Sequence, residues 1–199
     1  MSDHLVWIDC EMTGLDLERD ALIEIAVLVT DADLNILGEG VDLVIAPPAE
    51  ALETMPDIVR KMHTSSGLLD VLADGITMED AQAQALAYIR EHVPEARKAP
   101  LAGSSVHTDR TFLARDMSEL EQWVHYRNVD VSTLKELARR WYPRVYFNTP
   151  DKVGNHRALA DIIDSIDELR YYRNTMLVPQ PGPDSDAAKA AARAIRLDR

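Results

Sequence analysis

Four apolar residues, Leu5 to Ile8, are followed by Asp9, Cys10 and Glu11. In an extended chain side chains alternate between faces, so Asp9 and Glu11 share one face and Cys10 takes the other. Two like charges on one face stand where water solvates them or where a cation lies between them. Both readings are open on this stretch alone. Further on, "ALIEIAVLVTD" (21–31) is β-branched and continuously apolar enough for a buried central strand. After a short Asp/Asn turn, "NILGEGVDLVIAP" (35–47) reads as its hairpin partner, closed by Pro47 and Pro48. From Thr54 the period becomes helical, in "MPDIVRKMH", "SGLLDVLA" and the longer "TMEDAQAQALAYIREHV" (77–93), where Thr77 stands three residues before Asp80 as an N-cap.

The second half alternates. "APLAGSS" (99–105) is a short buried strand ending in small residues, followed by a helix through "DRTFLARDM". "NVDV" (128–131) is another strand, and "STLKELARRW" (132–141) is a helix with Ser132 or Thr133 as cap. "NHRALADIIDSIDELRYYRN" (155–174) is the last strong helix, with an apolar stripe of Leu159, Ile162, Ile163, Ile166 and Leu169. Three strands followed by alternating helices and strands predict an α/β fold, a mixed β-sheet flanked by α-helices on both faces. Residues 1–177 form the expected folded domain. Residues 178–199 read as a Pro-rich linker, "VPQPGPD", and an Ala/Arg-rich tail with helix-forming composition and no evident core to dock on.

With 199 residues and 46% hydrophobic content, the chain can bury a core of ordinary size. Its 21 basic and 34 acidic residues give a net charge of -13, which repels long phosphate backbones and argues against coating long DNA or RNA. A small anionic substrate held through metal ions remains compatible. The single Cys10 cannot close an intramolecular disulfide, which fits a reducing cytoplasm, and its place on the core face makes it an inert small hydrophobe. The acidic start "MSDH" and the short apolar run after it do not read as a signal peptide, and no apolar run approaches the roughly 20 residues of a membrane span.

Three further residues give the opening pair a context. Asp109 lies in the first turn of the helix after "LAGSS", and His156 and Asp161 lie at the start of the last helix. In such sheets strand ends and the helix starts that follow them gather at one edge. Four carboxylates gathered there do not all stay ionised unless divalent cations balance them, and hard oxygen donors select Mg²⁺ or Mn²⁺ rather than zinc.

"DCEMTGL", "GSSVHTDRTFL" and "HRALAD" together resemble the three motifs of the DEDDh 3′-to-5′ exonucleases. Within them, "IDCEMTGLD", "HTSSGL", "HYRNVDVSTLKELARRWYP" and "ELRYYR" resemble the oligoribonuclease family over about residues 5–176. The resemblance implies a ribonuclease-H-like fold, a homodimer, and hydrolysis of short oligoribonucleotides, down to dinucleotides, to 5′-mononucleotides at the end of RNA decay. It implies two divalent cations held by Asp9, Glu11, Asp109 and Asp161, with His156 as general base. Taken alone, His156 also reads as an exposed histidine beside a helix cap at Asn155. The resemblance further assigns substrate contacts to Gly14 and Leu15, the latter wedging against a base. A grip on the 5′ phosphate end falls to His63, Ser105, Tyr126, Arg127, Ser132 and Thr133, with Tyr126 and Arg127 coming from the other protomer. On their own, Arg127 reads as a surface salt-bridge partner and Ser132 as a helix cap. Where the family often carries a tryptophan opposite the leucine wedge, this chain has Ile58, which otherwise reads as a buried residue of a short helix with Val59 and Met62. The competing readings are a DNA proofreading or maturation exonuclease with the same chemistry, and a non-catalytic nucleotide-binding protein on this fold.

Overall fold

The computed structural model describes residues 3–153 and 156–197. Five strands form one sheet: β1 (Leu5–Met12), β2 (Leu22–Thr30), β3 (Ile36–Val44), β4 (Pro100–Gly103) and β5 (His125–Asp130). Their spatial order is β3-β2-β1-β4-β5. The first three pair antiparallel, as the hairpin reading expects, and β1/β4 and β4/β5 pair parallel. Every residue of β2 is buried, in keeping with its continuous apolar run.

Helices cover both faces. After β3 come α1 (Ala49–Glu53), α2 (Asp57–Ser65), α3 (Leu68–Val71) with a following 3₁₀ turn, and α4 (Met78–His92). Between β4 and β5 lie α5 (His107–Asp116) and α6 (Ser118–Trp123). After β5 come α7 (Val131–Trp141), α8 (Pro143–Tyr146), α9 (Ala158–Met176) and α10 (Ser185–Leu197). Val6, Ile8 and Cys10 pack with Ile89 of α4 and Phe112 and Leu113 of α5. Trp7 points to the opposite face, with Ala26 and Leu28, against Ala138 of α7 and Ile162 and Ile166 of α9. The period of two therefore directs Asp9 and Glu11 toward α9 and Cys10 into the core on the far side.

Local capping is partly as expected. Thr77 Oγ1 accepts the Asp80 N–H at 3.1 Å and starts α4. The cap of α7 is Asp130, not Ser132 or Thr133: its Oδ1 accepts the Ser132 N–H at 2.9 Å, and the helix begins at Val131. The suggested cap Asn155 lies outside the described residues, and α9 starts at Ala158 with Arg157 at its N-cap position. Ile163 departs from the expected stripe and is exposed, because the buried line of α9 runs through Ala158, Ile162, Ser165 and Ile166. Among the described residues no helix is long and apolar enough to cross a membrane.

Candidate active site

The end of β1 is fixed from two sides. In register, Glu11 lies opposite Glu24 of β2, and the pairing slips between Glu11 and Met12. Such irregularities re-aim side chains at strand ends. From the other side, Asp109 of α5 reaches back so that its Oδ1 accepts the Cys10 N–H at 2.9 Å. This bond ties the first turn of α5 to the strand and sets Asp109 beside the Asp9–Glu11 pair. α9 crosses the same face and brings Asp161. Glu11, His156 and Asp161 each offer one ligand atom, all within 4.8 Å of one another.

A cleft of about 320 Å³ is lined by Asp9, Glu11, Asp109, His156 and Asp161 together, with Ser104, Ser105, Thr108, Lys152 and Ser165 on its wall. The five residues expected to carry the chemistry thus share one cavity. Burial raises the Asp9 carboxyl well above its ordinary range, and the charges of Asp109, Glu11 and Asp161 add to the effect. Burial, then the charges of Asp161 and Glu24, push Glu11 up to about 8. Asp109 rises to about 6 through burial, although the Cys10 N–H opposes the shift. Asp161 is also raised by burial, against the nearby positive charge of Lys152. Buried and half-buried acids that repel one another and offer mostly hard oxygen donors to one cleft fit divalent cations, which would restore the ionised forms. Asp9, Glu11, Asp109 and Asp161 supply the carboxylates of the cleft, and of these Glu11 and Asp161, with His156, bring ligand atoms within reach of one ion.

The turn after β1 is built around Asp20. Its Oδ2 accepts the Asp16 N–H at 2.8 Å and its Oδ1 accepts from Thr13 Oγ1 at 3.2 Å. Gly14 fits there because a Cβ would fall 2.3 Å from Asp20 Oδ2. Arg115 of α5 closes the loop by donating to the carbonyls of Leu17 and Asp20. Leu15, on this loop, is 73% exposed, and Ile58, in the first turn of α2, is 79% exposed. The reading of Ile58 as a buried residue packed with Val59 and Met62 is therefore overturned. His63 is fully buried: its Nε2 lies 2.9 Å from the Met12 carbonyl, and its Nδ1 faces Glu11 Oε2 at 3.8 Å. In this conformation it braces the end of β1 and does not line the cleft.

Ser105, Ser132 and Asp130 form one polar cluster at the start of α7. Asp130 Oδ1 also accepts the Ser105 N–H at 2.9 Å, and the two hydroxyls lie 3.0 Å apart. Thr133 is exposed in the same turn. Tyr126 and Arg127 are exposed on the edge strand β5, with the guanidinium 5.5 Å from the ring centre, and neither lines the cleft.

Several site residues are not evident in the sequence reading. Lys152 comes from an irregular stretch without periodicity, and Thr108 and Ser165 are small polar residues on helices. Glu24, which lies behind the cleft and not on its wall, is marked in the sequence as a lone acid within an otherwise apolar strand.

The exonuclease family model matches residues 6–169, and this match makes the chain a nuclease, a hydrolase of phosphodiester bonds. The chain is 70% identical over 192 residues to an oligoribonuclease of Streptomyces avermitilis, covering 96% of each chain. It is 59% identical over 196 residues to an oligoribonuclease of Rhodococcus jostii, covering 98% of each. Among solved structures it is similar to a moderately thermophilic exonuclease I from Methylocaldum szegediense, with a TM-score of 0.62, 21% identity and coverage of 87% of this chain. The chain spans 41% of that longer protein, and this likeness bears on the ribonuclease-H-like fold alone. The chain belongs to the oligoribonuclease family of exonucleases.

Proposed function

We propose that this protein is a 3′-to-5′ exoribonuclease that degrades short oligoribonucleotides, dinucleotides above all, to 5′-mononucleotides at the end of RNA decay. The observation that carries the chemical part is the single cleft shared by Asp9, Glu11, Asp109, Asp161 and His156. The four carboxylates would hold two divalent cations, Mg²⁺ or Mn²⁺. When bound, such a pair makes a water nucleophilic near neutral pH and offsets charge on the attacking and leaving oxygens. His156, outside the regular part of α9, takes a proton from the attacking water on a ring nitrogen. Asp109 keeps its carboxylate aimed inward through the Cys10 N–H.

The remaining residues bind and orient. Leu15 and Ile58, both large and exposed, offer apolar surface for the faces of bases. Ser105, Ser132 and Thr133 present hydroxyls at the N-terminus of the 11-residue α7, where the helix dipole favours a phosphate. Tyr126 and Arg127 complete the grip from a second copy in a homodimer, consistent with their outward place on an edge strand. A phosphate held at one end leaves no room for a longer chain beyond it, which gives the preference for short substrates. His63 acts on this reading by bracing the strand beneath the substrate. The catalytic body is residues 1–177, and residues 178–199 are an appendage. The reaction takes place in the cytoplasm.

The test is product analysis. A 5′-phosphorylated, 3′-labelled diribonucleotide incubated with the protein and Mg²⁺ should yield labelled 5′-mononucleotide, and chelation should stop it. Persistence of the reaction in excess chelator, or release of 3′-phosphorylated product, would refute the reading.

A further inference from the structure

We infer that the buried pair Glu24–Arg157 is a positioning device that sets His156 and Asp161 against the end of β1. The inference rests on the reading of His156 as the base. Glu24 has no solvent exposure, sits within β2 on the face toward α9, and lies opposite Glu11. A buried carboxylate next to another acid is unfavourable unless its charge is offset and its oxygens are hydrogen-bonded. Both conditions are met from one place. Glu24 Oε1 accepts from Arg157 Nε at 2.7 Å and lies 2.6 Å from Nη2, and Oε2 accepts the Ala158 N–H at 2.9 Å. Glu24 is absent from the cleft wall, so its oxygens serve the protein and not the site's cations.

The two acceptors grip consecutive residues at the start of α9. Ala158 is the first helical residue, and its N–H is one of the end donors that no helical carbonyl satisfies. Arg157 is held through its side chain, and its carbonyl accepts the Asp161 N–H at 3.1 Å. His156, the preceding residue, has a φ of 60°, a left-handed conformation that L residues keep only where their surroundings fix them. The strand thus holds the helix start between the base on one side and the carboxylate on the other. Two further acids face the pair. Glu11 lies across the β1/β2 register, and the Asp42 carboxyl on β3 rests against Glu24. The Arg157 guanidinium faces them with its positive charge and sets two nitrogens against Glu24 Oε1 at once, an arrangement that a single lysine ammonium cannot make.

The test uses the full-length protein with Glu24→Gln and Arg157→Lys, and His156→Ala as reference. kcat and KM are measured on a diribonucleotide with Mg²⁺, and the histidine Cε1–H signals of the metal-free protein are followed by NMR, His156 being identified by its loss in His156→Ala. Misplacement of the base and one carboxylate predicts a fall in kcat of about 10- to 100-fold for Glu24→Gln with KM within about threefold. The His156 signal should move while that of the remote His92 stays, and Arg157→Lys should fall between parent and Glu24→Gln. A folded Glu24→Gln protein with parental kcat, or with an unmoved His156 signal, overturns the inference. Should Glu24→Gln fail to fold, Arg157→Lys decides by the same two readouts, its side chain being partly exposed. Parental activity in His156→Ala would instead refute the assignment of the base, whatever Glu24 does.

Discussion

Replacing Glu11 with glutamine removes a charge that burial and neighbouring acids disfavour, and the effect on stability is calculable from its surroundings. Burial and the neighbouring acids raise this carboxyl from 4.5 to about 8. Between those values the native protein retains a proton that the unfolded chain has released. Stability of the metal-free parent therefore falls as pH rises from 4.5 and levels off above about 8. At about 1.36 kcal/mol for each pKa unit, the ceiling is about 5 kcal/mol. The cleft is open and the side chain 11% exposed, so solvent and relaxation reduce the expected gain to about 2–4 kcal/mol at pH 9. Glutamine keeps the shape of the side chain but does not titrate. Urea unfolding with chelator present should give parent and Glu11→Gln equal stability at pH 4 and a more stable variant at pH 9. With saturating Mg²⁺ the order should reverse, because ions bound only by the native parent add to its stability. A difference independent of pH, or a variant less stable at pH 9 without metal, would refute the reasoning.

Asp109→Asn should abolish turnover while the metal-free melting temperature stays level or rises, since asparagine Oδ1 still accepts the Cys10 N–H; a large loss of melting temperature would make Asp109 structural. His156→Ala should lower kcat by about 10²- to 10⁴-fold with the dinucleotide Kd little changed, measured by single-turnover kinetics and titration. Ile58→Trp should fold normally, because the site is 79% exposed, and should lower KM with kcat little changed. Aromatic stacking is worth roughly 1–3 kcal/mol per base, so parental Kd in both Ile58→Trp and Ile58→Ala would remove Ile58 from the base contact.

The parts of the molecule legible in the sequence are those governed by a local period. The alternation around Cys10 fixes which way Asp9, Cys10 and Glu11 point, and Cys10 is buried on the far face as that alternation requires. The unbroken apolar run of β2 announces its central place, and Thr77 with Asp80 marks the start of α4. A helix of four to six residues, such as α1, α6 or α8, is too brief to display a period. β5 begins at His125, three residues before the apolar pattern of 128–131, because an edge strand such as "HYRNVD" need not be apolar. At α7 three residues within four positions, Asp130, Ser132 and Thr133, could cap, and only the fold shows that Asp130 does so while also holding Ser105. The partner of Glu24 lies 133 positions away in Arg157, a pairing that no local pattern encodes. For the candidate site the acids and the histidine stood out by type and spacing, and the supports behind them did not.

The central claim is tested most directly by length. Initial rates on RNAs of two to twenty nucleotides, with matching DNAs and with and without Mg²⁺, measure substrate class, size preference and metal dependence in one series. The account predicts kcat/KM greatest for the diribonucleotide, falling as the chain lengthens, lower for DNA of the same length, and lost on chelation. Rates that rise with length, a preference for DNA, or turnover without divalent metal would contradict it.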